Sequence, residues 1–326
     1  MQGQVGVLLI IIIAIGVLFL FFGQGLLTHS QTGGLTYSND LISIEDVFIS
    51  NSYPRPGEKI DMKVKIKNNG PKSIKPWFLL LDYQDLNLVK LTYSYRNSIK
   101  SCDVFKANEY GKCEINSEGL SPFEFSEIYA EFEVPSNEKI PLVSEGKKEY
   151  RIIRYMINYT LSGSKEIFIP ITTNINRVPS LRYSESSGDF GPVQIQVEVP
   201  SSGKVKVNNK LIELHYGVAG MPLTFSFKFV NIGTQGEYSE FKIKSLSLNY
   251  PSDIFSEVWC RGGSLEKEKG KIVFSEIDTE TPIDCRFEVK DSISEERVAD
   301  LKFEYEYMYA FFGHSIIEIQ PEITSI

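Results

Sequence analysis

Four cysteines are the residues of this 326-residue chain whose type and spacing could support covalent chemistry. They form two pairs that are close in sequence, Cys102 with Cys113 and Cys260 with Cys285. An even number of cysteines in local pairs predicts two disulfides and an oxidising, extracytoplasmic compartment, and four buried free thiols are the alternative. A disulfide that closes a loop this short stabilises a protein by about 3 kcal/mol on the chain-entropy estimate. We therefore expect the cysteines to act as structural staples.

Other sequence patterns that perform catalysis or bind metals do not occur. The chain contains no C-x-x-C pair, H-E-x-x-H, G-x-S-x-G, Walker A loop or EF-hand loop. Asp82 and Asp85 come closest to a carboxylate pair, and we interpret them as part of a solvated turn that follows a strand. A net charge of −8 argues against nucleic acid as a partner. We therefore predict no catalytic residue, no metal site and no cofactor, and expect that the chain is not an enzyme.

The N-terminal stretch from Val5 to Phe22 contains 18 residues and no charged or amide side chain. As a helix it would span about 27 Å, close to the hydrocarbon thickness of a bilayer, about 30 Å. No basic residue precedes the stretch and no clear small-residue cleavage site follows it, whereas a cleaved signal peptide usually has both. We therefore predict a single transmembrane helix over residues 1–27 in the cell membrane, with the C-terminal body extracytoplasmic. A cleaved secretory signal is the alternative.

Alternating apolar and polar residues indicate β-strands throughout the rest of the chain. The stretch 60–70 alternates and then ends in Asn-Asn-Gly, which is a turn signal. The same pattern returns 163 residues later, over 223–233, and ends in Asn-Ile-Gly. A second similarity relates YAEFEVP, residues 129–135, to DCRFEVK, residues 284–290. These repeats predict a mainly β fold of two tandem antiparallel β-sandwiches of about 130 residues each.

Composition places the boundaries between these units. Residues 176–192 are polar and rich in Ser, Gly and Pro, as linkers are, and residues 28–40 form a similar tether. The predicted organisation is an N-terminal helix over 1–27, a tether over 28–40, a first sandwich over 41–175, a linker over 176–192, a second sandwich over 193–320 and a tail over 321–326.

Each unit is predicted to close with a hairpin. The tip of the first hairpin is Ser-Gly-Ser at 162–164, and the tip of the second carries Phe311 and Phe312 before Gly-His. We expect Phe311 and Phe312 to pack between the two domains or to form an adhesive tip, with plain core packing as the alternative.

One glycosylation sequon occurs, Asn158-Tyr159-Thr160. An extracytoplasmic body makes Asn158 a candidate glycosylation site. Its position on a predicted strand argues for an occluded side chain instead.

The stretch SYPRPGEKIDMKVKIKNNG resembles the opening of cell-adhesion-related (CARDB-like) immunoglobulin-like domains of bacterial and archaeal surface proteins. Those domains place Pro-Gly before an alternating strand that ends in Asn-x-Gly, and Pro56-Gly57 and Asn68-Asn69-Gly70 match that pattern. The resemblance implies that each sandwich is an immunoglobulin-like domain of about seven strands that acts as a spacer or adhesion module. It implies no particular ligand.

The stretch QGQVGVLLIIIIAIG resembles the start of archaeal pilin-like proteins, in which a Gly-Gln junction precedes an apolar helix. Gly3-Gln4 matches that junction, while Gln2 and Leu8 stand where the family usually has a basic residue and a glutamate. The resemblance implies cleavage between Gly3 and Gln4 by a membrane peptidase, after which the helix forms the core of a filament.

Together these patterns predict a non-enzymatic, membrane-anchored cell-surface protein with two immunoglobulin-like sandwiches. Its ectodomain would serve as a spacer, an adhesion module or a protein-interaction module. The expected partners are the membrane, through the N-terminal helix, and an unidentified surface protein or glycan. The alternative is a pilin-like subunit that self-assembles into an extracellular filament.

Overall fold

The computed structural model describes residues 40–321, with gaps at 106–109, 117, 137–146, 177, 189–190, 208–209, 235–237, 262–264, 269 and 275–276. The predicted helix over 1–27, the Gly3-Gln4 junction and nearly all of the tether and tail therefore lie outside the described residues. Within the described residues, no helix is long and apolar enough to span a membrane. Contacts between residues group the described residues into one compact unit.

Every named element in this part of the chain is a β-strand, which confirms the mainly β class. The first half has nine described strands: β1 (Ile42–Ile49), β2 (Lys59–Asn68), β3 (Trp77–Asp82), β4 (Asn87–Tyr95), β5 (Ser98–Ser101), β6 (Asp103–Phe105), β7 (Tyr110–Glu114), β8 (Phe125–Glu133) and β9 (Glu149–Thr172). The second half has twelve described strands: β10 (Ser184–Ser187), β11 (Val193–Glu198), β12 (Gly203–Val207), β13 (Lys210–Leu214), β14 (Gly217–Val218), β15 (Pro222–Asn231), β16 (Tyr238–Asn249), β17 (Phe255–Cys260), β18 (Leu265–Glu268), β19 (Lys271–Phe274), β20 (Ile283–Val289) and β21 (Arg297–Ile319).

These strands form two smaller sheets that each pack against one larger sheet. The first cover sheet has the order β1-β2-β8-β4-β5, and the second cover sheet has the order β11-β15-β20-β17. The shared sheet has the order β18-β19-β16-β21-β9-β3-β7-β6, and β10 and β14 also pair with β9. Strands β12 and β13 form a separate hairpin. The long pairs are antiparallel, and the short β14–β9 pair is parallel.

The two cover sheets repeat one register. Strands β2 and β15 start and end 163 residues apart. Ile60 of β2 lies opposite Phe132 on β8, and Leu223 of β15 lies opposite Phe287 on β20. Strand β11 occupies beside β15 the place that β1 occupies beside β2. The internal repeat read from the sequence is therefore present in the strand pairing.

Aromatic side chains fill the space between the cover sheets and the shared sheet. Phe227 on β15 packs against Phe303 on β21, with ring centroids 4.9 Å apart. In the first half, Phe132 on β8 packs against Tyr83, which follows β3, at 5.7 Å. Each cover sheet therefore packs its aromatic side chains on the shared sheet, and the buried side chains of both halves form one continuous core.

The two halves are joined along β9 and β21, and we call this pair of strands the seam. The strands pair from Glu149 opposite Ile319 to Ile171 opposite Arg297. On its other side, β9 pairs with β3 and β21 pairs with β16, each from the same half as its neighbour. Pairing in this way covers an edge that each half would otherwise expose. The halves on either side of 176–192 thus share one sheet, and the domain bounds within it stay a prediction.

The two closing hairpins predicted for the halves are wrong. Both segments lie inside continuous strands, β9 and β21. Gly163 lies opposite Tyr305, and Gly313 lies opposite Tyr155. A Cβ atom on either glycine would collide with the tyrosine ring, so each glycine makes room for a cross-strand aromatic side chain. The glycines that indicated turns are therefore packing positions.

A buried asparagine holds the turn after β2. Asn68 is fully buried, and its side-chain amide donates to the carbonyls of Lys72 and Leu120 at 2.7 and 2.8 Å. Its side-chain oxygen accepts a hydrogen bond from the backbone N–H of Gly70 at 2.9 Å. The equivalent Asn231 accepts a bond from the glycine two residues later and donates to one serine hydroxyl.

Replacing Asn68 should destabilise the protein more than replacing Asn231. Asn68→Ala should lower the free energy of unfolding by about 3 kcal/mol, because it leaves three backbone groups without their side-chain partner. Asn231→Ala should lower it by about 1 kcal/mol, because that side chain is half-buried and makes two bonds. Urea unfolding followed by circular dichroism measures both losses. Asn87→Ala, at an exposed position, is the control, and equal losses for the first two variants would contradict this account.

Candidate functional site

Both predicted disulfides form, and both are local. Cys102, between β5 and β6, bonds to Cys113 on β7, where the chain crosses from the first cover sheet to the shared sheet. Cys260 and Cys285 lie directly opposite each other on β17 and β20, with Cα atoms 4.0 Å apart. No free cysteine is left for a nucleophile or a metal ligand, since these are the four cysteines of the chain.

A groove of about 660 Å³ crosses the outer face of the first cover sheet, and we call it the first-face groove. Phe48 on β1 and Ile99 on β5 line it, with 54% and 71% of their surfaces exposed. Tyr129 lines it from the central strand β8. A concave surface that combines exposed apolar side chains with polar groups can bind a partner. The first-face groove is therefore a candidate contact surface.

The charged side chains around this groove include close ion pairs. Lys63 Nζ lies 3.1 Å from a carboxylate oxygen of Glu127, and Lys59 Nζ lies 2.5 Å from Glu131. The Tyr129 hydroxyl also donates to Glu127. This hydrogen bond and the Lys63 ammonium lower the pKa of Glu127, and the same hydrogen bond raises the pKa of Tyr129 to about 12. Because both pKa values lie far from 7, Tyr129 and Glu127 are suited to forming hydrogen bonds with a partner rather than to transferring protons at neutral pH.

Sequence reasoning missed Phe48 and Trp259, which project from the outer faces of the two cover sheets. Trp259 on β17 is exposed, whereas its neighbours Val258 and Cys260 are buried. In an alternating stretch such as FSEVWC, the outward position is normally polar. A large aromatic residue at an outward position is the signal that could have found both residues.

Phe311 and Phe312 lie in the middle of β21 rather than at a hairpin tip. Phe311 is buried, and its ring centroid lies 6.5 Å from that of Tyr159 across the seam. Phe312 is half-buried, with its ring 5.6 Å from that of Tyr238. Phe311 is thus a core residue of the seam, and a role for the pair in fixing the two halves stays a prediction.

The other candidate residues occupy strand and turn positions. Asn158 is half-buried on β9, between β3 and β21, and its glycosylation stays a prediction. Asp82 accepts a hydrogen bond from the backbone N–H of Gln84 at 2.9 Å, and Gln84 and Asp85 both have left-handed φ, as expected in a turn. Within the described residues, no group of three His, Cys, Asp or Glu side chains could hold a metal ion.

Comparisons with known proteins assign no family. No protein-family model and no curated protein matches the chain. Among solved structures, the chain is similar to red sea bream transglutaminase, with 12% sequence identity and a TM-score of 0.19. The alignment covers 85% of this chain and 31% of that one, so this chain spans less than one third of the transglutaminase. A TM-score this low carries no argument about fold or activity.

Removing the Cys260–Cys285 bridge should cost slightly more stability than removing the Cys102–Cys113 bridge. The sequence separations are 25 and 11 residues, which give about 3.5 and about 2.8 kcal/mol on the chain-entropy estimate. Urea unfolding of the two double alanine variants measures the losses. Unfolding of the wild type under reducing conditions is the control, since it should lose both contributions. A loss below about 1 kcal/mol for either bridge would contradict the staple role.

The Glu127 carboxylate should make stability fall in acid. Because its pKa is lowered by folding, its contribution is complete above the unfolded pKa of about 4.3 and is lost as pH falls through the folded value. Glu127→Gln should therefore show a smaller drop in Tm than the wild type between about pH 6 and about pH 3. Tyr129→Phe removes the main hydrogen bond and should reproduce part of this change. Parallel curves of Tm against pH for all three proteins would disprove the contribution of the Glu127 carboxylate.

Proposed function

We propose that this chain is a non-enzymatic, single-pass membrane-anchored surface protein whose body acts as an interaction module outside the cell membrane. In this proposal, the apolar segment over 1–27 holds the chain in the membrane. The body presents the outer faces of its cover sheets to an unidentified surface protein or glycan.

The observation that carries the proposal is the closure of both disulfides within the β-sheet body. Disulfides persist in oxidising compartments, so these bridges support an extracytoplasmic body. The stretch from Val5 to Phe22 supports an anchor on the same chain, because its length as a helix matches a bilayer.

The finer fold in this proposal is a pair of immunoglobulin-like sandwiches of the cell-adhesion-related kind. The repeated register of the cover sheets supports it, as do two repeated local features. Gly57 and Gly220, which precede β2 and β15, both have left-handed φ. Asn68 and Asn231, which end those strands, both accept a hydrogen bond from the backbone N–H two residues later. These are the positions on which the sequence resemblance rests.

The mechanism in this proposal is geometric. Each cover sheet packs its inner face on the shared sheet and leaves its outer face to solvent. The first-face groove combines exposed Phe48 and Ile99, on the edge strands β1 and β5, with paired charges on the inner strands β2 and β8, so it offers a partner both apolar and hydrogen-bonding contacts. The disulfides and the seam hold this surface in one shape, so less conformational entropy is lost when a partner binds.

A binding role is favoured over catalysis by the state of the reactive groups. The cysteines are all in disulfides, so no thiolate nucleophile remains. Near the first-face groove, the phenol of Tyr129 has a raised pKa and the carboxylate of Glu127 a lowered one, which moves both away from proton transfer at neutral pH.

The intact mass and N-terminal sequence of the native, membrane-extracted protein test this proposal. We expect a chain that begins at Met1, stays in the membrane fraction after a high-salt wash, and is lighter than the reduced protein by four hydrogen atoms. Protease added outside intact cells should digest the body.

Other N-termini lead to other conclusions. A chain that begins at Gln4 would favour the pilin-like alternative, and electron microscopy of sheared surface material would then reveal filaments. A chain that begins beyond Leu27 would overturn the anchor and leave a secreted protein. A body without disulfides would remove the observation on which the proposal rests.

A further inference from the structure

The outer face of the second cover sheet carries a groove of about 510 Å³ beside an exposed tryptophan, and we call it the second-face groove. Trp259 lies on β17, the last strand of this sheet, and 54% of its surface is exposed. In the first half, β5 continues the sheet beyond β4. Among the described residues of the second half, no strand continues the sheet beyond β17. With more than half of its surface exposed, the indole is accessible from the outer face of the sheet.

Strand register determines which groups surround the indole. Trp259 lies opposite Arg286 on β20, and Arg286 lies opposite Thr224 on β15. The next row on this face is about 7 Å further along the strands. It contains Asp284, Ser226 and Glu198. A guanidinium, two hydroxyls and two carboxylates therefore line the groove beside one exposed aromatic ring, since Phe225, which also borders it, is buried.

The Cys260–Cys285 disulfide holds this arrangement in place. Cys260 follows Trp259 in sequence, Cys285 precedes Arg286, and the two cysteines lie opposite each other. Because side chains alternate along a strand, the bridge lies on the inner face while Trp259 and Arg286 project from the outer face. A site that is rigid before the ligand arrives loses less conformational entropy on binding.

The chemistry of the groove favours a sugar over a protein or a nucleic acid. Centres of protein contacts gather several aromatic side chains and few charges, whereas one ring stands here among polar groups. Asp284, Glu198 and a net charge of −8 would repel phosphates. A pyranose presents a face of C–H groups that can lie on an aromatic ring. Its rim of hydroxyls both donates and accepts hydrogen bonds, as this mixture of groups requires.

We propose that the second-face groove binds an uncharged glycan, with one sugar ring stacked on Trp259. The carboxylates of Asp284 and Glu198 accept hydrogen bonds from sugar hydroxyls. Arg286 Nε donates to Glu288 at 2.8 Å, and the remaining N–H groups of its guanidinium donate to sugar oxygens. The carboxylates also disfavour acidic glycans. This inference rests on the proposed function, since it names a ligand class for that interaction module, and its test does not involve the anchor.

Tryptophan emission reports directly on this groove. The chain has two tryptophans, so Trp77→Phe leaves Trp259 as its single indole. The full-length Trp77→Phe protein, in a detergent without a sugar headgroup, is titrated to about 10 mM with cellohexaose, laminarihexaose, mannohexaose and chitohexaose. We expect at least one of them to shift the emission to shorter wavelength and to slow quenching by acrylamide. Calorimetry with the wild type gives the Kd by a second route.

Variants then locate the binding site. Trp259→Ala should weaken binding of that oligosaccharide at least about 30-fold, which corresponds to about 2 kcal/mol. Asp284→Asn should weaken it by a smaller factor, because it keeps the shape of the side chain and loses one charged acceptor. Phe125→Ala, an exposed aromatic residue on the first cover sheet that lines neither groove, is the matched control and should leave the Kd unchanged. Circular dichroism and intact mass confirm that each variant is folded with both disulfides.

Three results would overturn the proposal. The first is the absence of any emission change or heat with all four oligosaccharides. The second is an unchanged Kd for Trp259→Ala. The third is an emission change that follows protein concentration rather than sugar, which would indicate self-association through this face. Because the N-terminal mass tests the anchor separately, glycan binding without an anchor and an anchor without glycan binding are distinguishable.

Discussion

Pairing of β9 with β21 is the constraint on which the rest of the structure depends. Each strand reaches into both halves: Ile171, near the end of β9, pairs with β14 of the second half, and the backbone N–H of Glu318 on β21 donates to Ser52 of the first half. Tyr159 and Tyr309 lie opposite each other within the seam, buried, with ring centroids 5.6 Å apart. Opening this pair would expose two long strand edges and the sandwich cores beneath them.

The seam is approximately symmetric about these two tyrosines. Gly163 and Gly313 are 150 residues apart, and so are Tyr155 and Tyr305, the tyrosines that lie opposite them. An antiparallel pair of equivalent strands has the two-fold arrangement of a homodimer interface, here within one chain. Burial raises the pKa of Tyr159 well above its usual value, so the centre of the seam stays uncharged.

The chain enters the folded body beside this seam. Asp40, the first described residue, is fully buried and accepts hydrogen bonds from the backbone N–H and the hydroxyl of Thr234, both at 2.7 Å. The next carbonyl, of Leu41, accepts a bond from the backbone N–H of Asn69 in the first half. The first described residues therefore contact both halves.

The sequence by itself determined the alternating strands such as β2, their repeat in β15, and both disulfides, because these depend on a side-chain period of two and on cysteines close in the chain. The outward position of Trp259 could be read from its alternating stretch. The other residues of its groove could not, because they lie on different strands that only folding brings together. A glycine in an alternating stretch can mark a turn or make room for a large side chain on the next strand. At Gly163 the second case holds, because Tyr305 lies opposite it on β21. The seam was decided by tertiary structure alone. Tyr159 and Tyr309 are 150 residues apart in sequence, and they become neighbours only because β9 and β21 pair in the folded protein, which no local sequence pattern indicates.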